Sequence, residues 1–264
     1  ITLDAEYCTL LGYTQEELAN YFSDRMDELQ RTCEVSREAL LEDIRQWYNG
    51  YRFSKRETRV YTPYSILNLF RTGEFNNFWF ETATPTFLLD LIKKRKYDIR
   101  TLEGMSLSDD DFASYDIETM QLPTLLYNTG YITIDQVTKQ PDRTSRYKMC
   151  YPNYEVRNSF LRSVAKHFTG YDVSLNVYVD NLRQALDAGD IEQFVSVLRT
   201  VFASIPYDVN PTGTQLYKEI KLESYYQTLL YAMLKVTGMQ VSAEERTNRG
   251  RIDRVIEGAK SIYM

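Results

Sequence analysis

The amino-acid sequence reads as an α+β protein that is mostly helical. Three observations carry that class. Helix-start signals recur through the first half of the chain, residues 214–236 keep a helical period throughout, and strand-like segments occur only near residues 131–150 and 239–264. The expected order is a helical, lid-like part over 1–84, a winged-helix-like module over 85–155, a helical connector over 156–205 and a final α-β-β-β segment over 206–264.

Composition supports an ordered chain. In 264 residues, 43% are hydrophobic and 14% aromatic, enough to build buried cores. Twenty-two tyrosines against 11 glycines and 7 prolines argue against low complexity. The formal net charge of −6 and a pI near 5.1 leave no overall electrostatic footprint for nucleic acid, so any such contact is local. Cys8, Cys33 and Cys150 form no close pair, which fits neither a disulfide framework nor a zinc cluster and points to a reducing cytoplasm. No apolar run approaches the roughly 20 residues of a membrane span, so no membrane partner is expected. The chain begins at Ile1 rather than Met, which implies an upstream segment.

The N-terminal helices announce themselves by their caps. Thr14 with Glu17 is a capping box opening a helix that carries Leu18, Tyr21 and Phe22, and Ser36 opens another with Leu40, Leu41 and Ile44 on one side. The run Trp47-Tyr48-Asn49-Gly50-Tyr51-Arg52-Phe53 ends that helix with an Asn-Gly turn inside a knot of rings. Pro63 stands in the first turn of the next helix, through Arg71. Lys93, Lys94, Arg95 and Lys96 are the one concentrated basic run; it either offsets a helix dipole or touches a phosphate backbone. A short helix over 124–130 leads to strands 131–134 and 147–150 joined by a polar loop, 135–146. His167, the single histidine, suits a surface or capping role. A helical hairpin breaks at residues 187–190, with Leu182 and Leu186 on one arm and Phe194, Val197, Leu198 and Val201 on the other as its buried stripe. Residues 206–211 read as a boundary.

The long helix carries chemistry. Leu216, Ile220, Glu223, Gln227, Leu230 and Leu234 recur at four- and three-residue steps and share one stripe; Leu222, Tyr226, Leu229, Met233 and Val236 form a second. Lys221, Ser224, Thr228 and Lys235 mark the expected wet face. Glu223 and Gln227 thus fall among core positions, where a carboxylate needs a hydrogen bond, an arginine such as Arg251, or a metal ion. Beyond it, residues 251–257 and 261 onward form a hairpin with Asp253 in mid-strand. Asp is disfavoured there, and it either faces solvent, pairs with Arg251 or Arg254, or binds a cation.

Gly250-Arg251-Ile252-Asp253, on a strand after a helix and another strand, resembles the core of the PD-(D/E)XK nuclease superfamily. More narrowly it is similar to the nuclease domain at the C-terminus of a family of bacterial AAA-ATPase-like proteins. The Trp47 to Phe53 run, Val60-Tyr61-Thr62-Pro63-Tyr64-Ser65, Asn77-Phe78-Trp79-Phe80 and Thr84-Pro85-Thr86-Phe87 resemble the region after the nucleotide-binding core of that family. The resemblance implies that Asp253 binds a divalent ion, Mg²⁺ or Mn²⁺, with Glu223 as a second or indirect ligand. It further implies that Gln227 orients the site, that Arg249 or Arg251 contacts phosphate, and that nucleic acid, chiefly DNA, is the partner. The superfamily also uses an acid-any-Lys motif on the next strand, and residues 261–264 match only its apolar lead-in. This chain is therefore expected to be inactive alone. It holds no Gly-x-x-x-x-Gly-Lys, so ATP would enter only through an upstream region. The rival expectation is a non-enzymatic regulatory or DNA-binding protein acting through the winged-helix-like module.

Overall fold

The computed structural model describes residues 3–79, 86–95, 97–112, 121–170, 175–203, 215–247, 250–257 and 262–263, with backbone alone for 215–224, 240, 242–247, 250–257 and 262–263. Ten α-helices and two three-stranded antiparallel sheets lie among them. They form two compact units. The first joins Ile1–Ala83 to Thr101–Ser159, and the second joins Thr84–Arg100 to Phe160–Met264. Residues 85–100 fall in the second of these units and 101–155 in the first.

In the first unit, α1 (Gln15–Tyr21) starts as its cap demands: Glu17 N–H donates to Thr14 Oγ1 at 3.2 Å and Thr14 N–H to Glu17 Oε2 at 2.8 Å. The chain breaks at Phe22 and resumes as α2 (Ser23–Cys33), which ends on Glu34 in the left-handed region. Then follow α3 (Arg37–Tyr48), capped by Ser36, and α4 (Pro63–Thr72), with its proline in the first turn. Leu18, Met26, Leu29, Leu40, Ile44, Tyr48, Tyr61, Ile66, Leu69 and Phe78 make their shared core. The ring knot is a packing device, with Trp47 4.6 Å from Tyr154 and Tyr48 stacked on Phe75. Gly50 is obligatory: its φ is +126° and a Cβ would fall 1.8 Å from the Pro152 carbonyl oxygen.

The sheet of this unit has the order β1-β3-β2, from β1 (Ser106–Ser108), β2 (Thr133–Lys139) and β3 (Ser145–Cys150), with α6 (Leu122–Asn128) before the hairpin. Most of the expected loop 135–146 is strand, and the turn is confined to 140–144, where Arg143 takes φ +69°. The misreading has a cause. The register slips between Ile134 and Gln136, so Asp135 sits in a bulge that interrupts the alternation. The Asp135 carbonyl accepts instead from Arg52 Nη1 at 3.0 Å and Arg59 Nη2 at 3.1 Å. Strand β1 escaped detection because three residues with two serines carry no periodic signal.

The second unit holds α5 (Thr86–Arg95), the later turns of α7 (Tyr154–Thr169), the hairpin α8 (Leu175–Ala188) and α9 (Ile191–Ala203), α10 (Gln215–Val236), and β4 (Gln240–Thr247), β5 (Gly250–Glu257) and β6 (Ile262–Tyr263). Gly189, at φ +71°, turns α8 into α9, and Asp190 Oδ1 caps α9 by accepting from Gln193 N–H at 2.9 Å. Leu182 and Leu186 are buried as expected. On α9 only Val201 is, whereas Phe194, Val197 and Leu198 are half-buried. The expected boundary at 206–211 lies outside the described residues.

Candidate functional site

Helix α10 is covered on more sides than two apolar stripes require. Tyr225, Thr228, Leu229, Tyr231, Ala232, Met233, Leu234 and Val236 are all buried. Thr228 corrects the wet-face expectation: it is 0% exposed because its hydroxyl donates to the Tyr97 carbonyl at 3.3 Å. A hydroxyl with an acceptor is tolerated in a core. Gln227, expected in the core stripe, is half-buried, and its Oε1 accepts from Arg100 Nη1 at 3.1 Å. Arg100 in turn grips Asp98 through Nε and Nη2. Tyr225 donates to the Phe168 carbonyl at 2.9 Å and stacks on the Phe168 ring, and Arg183 Nε donates to the Thr237 carbonyl at 2.7 Å where the helix ends. Glu223 lies on the helix one turn before Gln227; its side chain is outside the described residues.

The strands after α10 form an antiparallel meander, β4-β5-β6, in the helix-strand-strand-strand order expected. Asp253 lies in mid β5 and Arg251 near its start, both as backbone positions, while Arg249 falls outside the described residues. The register adds what spacing concealed. Ala243 pairs with Arg254 and Glu245 with Ile252, which leaves Glu244 and Asp253 at opposed positions between them. Two residues along the same face, Arg246 pairs with Arg251, and Thr247 with Gly250 closes the hairpin. Glu244 was absent from the sequence reading. Its position follows from the Thr247–Gly250 pairing, which fixes every opposed pair along the two strands.

Elsewhere the titratable groups serve the fold. Among the described residues no group of three His, Cys, Asp or Glu stands close enough to hold a metal. His167 Nε2 lies 3.0 Å from Asp90 Oδ1, and its carbonyl accepts from Lys93 Nζ at 3.3 Å. Part of the basic run therefore neutralises a helix end; Lys96 is outside the described residues. Tyr147 donates to Asp109 Oδ1 at 2.5 Å, which with Lys55 and the Ser145 N–H holds that carboxyl below its usual range, while burial first of all raises the Tyr147 phenol. Burial pushes the Cys150 thiol up to about 11, so it is no thiolate at neutral pH. A groove of about 460 Å³ runs past Glu42, Arg45, Gln46, Asn49, Gly50, Arg59 and Pro152. There Arg45 pairs with Glu42 at 2.7 Å, and Arg59 with Asp135 at 3.2 Å. In α6, residues 122–127 are all buried, so the helix before the β2-β3 hairpin offers solvent only Asn128.

Comparison with known proteins yields one curated relative: the chain is 31% identical over 270 residues to a protein of Azotobacter chroococcum mcd 1 described as "Uncharacterized protein in vnfD 5'region". The match takes in all of this chain and 48% of that protein, so the chain spans about half the relative's length. No protein-family model and no solved structure matches. No helix among the described residues is long and apolar enough to cross a membrane.

Proposed function

We propose that residues 206–264 are the first half of a metal-dependent nuclease domain of the PD-(D/E)XK type. The longer, cytoplasmic protein would hydrolyse phosphodiester bonds of nucleic acid, DNA foremost, alongside an AAA-ATPase-like module whose nucleotide site lies upstream. The observation that carries this reading is the β4-β5 register, with an acid opposite an acid and an arginine opposite an arginine on one face of the hairpin. Like charges directly opposed destabilise a sheet, so such a face is best accounted for by a ligand bearing both signs, a cation and a phosphate.

Asp253 and Glu244 bring hard oxygen donors, the set that suits Mg²⁺ or Mn²⁺. A divalent ion bound there supplies positive charge that acidifies water and offsets charge on the phosphorane. Arg251 or Arg249 would hold non-bridging phosphate oxygens. Glu223 serves as a second or indirect ligand, and Gln227 keeps the reacting groups aligned. In the reaction the oxygen of water bonds to phosphorus, the bond to the leaving sugar oxygen breaks with its electron pair, and the water loses a proton. The acid-any-Lys motif needed to complete the site would come from the following strand.

The test is Mg²⁺-dependent cleavage of duplex and single-stranded DNA by the longer protein. Asp253→Ala should lower the rate by about a thousandfold, the scale of losing a charge-stabilising group in the transition state. Undiminished cleavage by that variant, or none by the wild type, would sink the reading.

A further inference from the structure

Exposed strand positions of an antiparallel sheet are commonly matched across the strands, cation against anion. The outer face of the β1-β3-β2 sheet departs from that. Along β3, Ser145, Tyr147 and Met149 are buried, while Arg146 and Lys148 between them are exposed. The register sets Arg146 between Ser108 of β1 and Thr138 of β2, and Lys148 between Ser106 and Gln136. Ser106, Gln136 and Thr138 are exposed and Ser108 is half-buried, so these six positions make two rows of one open face with two cations and no carboxylate. Arg146 forms no ion pair among the described residues. Lys148 Nζ lies 3.9 Å from Asp135 Oδ2, but Asp135 is held closer by Arg59, at 3.2 Å. At the hairpin tip Asp142 turns back on Thr144, accepting from its N–H at 3.0 Å and its hydroxyl at 2.6 Å. In a chain of net charge −6, this face is left positive.

We propose that this face is a docking surface for duplex DNA, holding its phosphate backbone without reading its sequence. The inference rests on the nuclease reading for its partner, and adds the part of the chain that would carry the substrate. Arg146 and Lys148 stand about 6.8 Å apart along β3, roughly two of the ~3.4 Å axial steps at which one DNA strand sets its charges. The hydroxyls and amide beside them are neutral groups that hydrogen-bond phosphate oxygens. No ring lies on the face for a base to stack on, which favours duplex over single strand. Helix α6, buried over residues 122–127, has no free side to lay in a groove, so the contact falls to the sheet. The face also separates DNA from other polyanions. A lipid surface would need apolar side chains there, and an acidic peptide would add along a strand edge instead.

The experiment measures binding of a labelled DNA duplex by the longer protein as salt is raised, in EDTA so that no strand is cut. Wild type should bind with little regard to base sequence. Arg146→Ser and Lys148→Ser should each flatten the plot of log affinity against log salt by about 0.9, and together by about 1.8, with about tenfold weaker binding at low salt. Both variants should melt with wild type, since these side chains hold nothing in the core. Lys94→Ser, which removes an exposed cation from the basic run on α5, should leave the slope as it was. A slope unchanged in the double variant overturns the inference, as does an equal loss in Lys94→Ser. Tighter binding of single strand, or equal displacement of the duplex by poly-glutamate or phosphatidylglycerol vesicles, overturns it too. Cleavage that needs Asp253, with binding indifferent to Arg146 and Lys148, sinks the docking face alone. Binding lost as expected in the double variant, with no cleavage by wild type in Mg²⁺, sinks the nuclease and leaves the face.

Discussion

Charged residues in the interior of the first unit are enclosed by partners, and on the β4-β5 hairpin of the second the backbone register places like charges at opposed positions. Glu155, wholly buried at the start of α7, accepts from Ser65 Oγ at 2.8 Å and from Trp79 N–H at 2.7 Å. Arg52, 4% exposed, donates to the carbonyls of Ser54, Lys55 and Asp135. Each is satisfied by neutral groups that the fold itself supplies, at a place where the chain would otherwise leave polar atoms unmet. On the hairpin, the register sets Glu244 against Asp253 and Arg246 against Arg251. A charge enclosed by tailored partners is holding a structure together, whereas on the proposed nuclease reading the opposed like-charged positions of the hairpin would take a counter-charge from outside.

This contrast breaks most visibly at Glu155. Glu155→Leu should cost about 3 kcal/mol, because it orphans a hydroxyl and a backbone N–H inside the core. For a chain of this size that is a fall in Tm of roughly 6–12 °C. Both tryptophans, Trp47 and Trp79, lie in the first unit, so their emission during a urea titration reports that unit alone. An unchanged midpoint would mean Glu155 is not a structural anchor. Arg52→Met comes next, at about 2 kcal/mol by the same measurement, since three carbonyls lose their donor.

The hairpin should respond with the other sign. Without metal, Glu244→Gln or Asp253→Asn should raise stability by about 0.5 kcal/mol by relieving opposed charge. Each should also abolish any stabilisation by millimolar Mg²⁺, read as the difference between melts with and without the ion. A loss of stability in both variants would show the acids to be paired within the fold, and the comparison would collapse. The smallest effect is at the α1 cap. The Thr14 backbone N–H, and then its hydroxyl, hold the Glu17 carboxyl below its ordinary 4.5. A depressed value contributes stability that is present above pH 4.5 and fades as pH falls through the folded-state value. Glu17→Ala should therefore be destabilising at neutral pH and indistinguishable from wild type in strong acid. A difference that persists in acid would rule out the carboxylate as the cap.

By itself the sequence determined what is encoded within a turn or two of chain. The Thr14 and Ser36 caps, the proline opening α4 and the helix-strand-strand-strand order rest on hydrogen bonds or steric limits between near neighbours, so residue type at short spacing suffices. Asp253 stood out for a similar reason, as an acid inside a strand pattern. Tertiary structure alone decided the rest. Gln227 finds its partner in Arg100, 127 residues away, and Thr228 sinks into the core because the Tyr97 carbonyl comes to meet it. Asp135 bulges out of β2 and hands its carbonyl to two arginines from a distant loop. Glu244 lies between these cases, legible once Thr247 is known to pair with Gly250 and hidden until then. Helical periodicity reports how a side chain is placed about its own axis; whether that side meets water, a carbonyl or a guanidinium depends on a distant segment whose arrival no local pattern encodes.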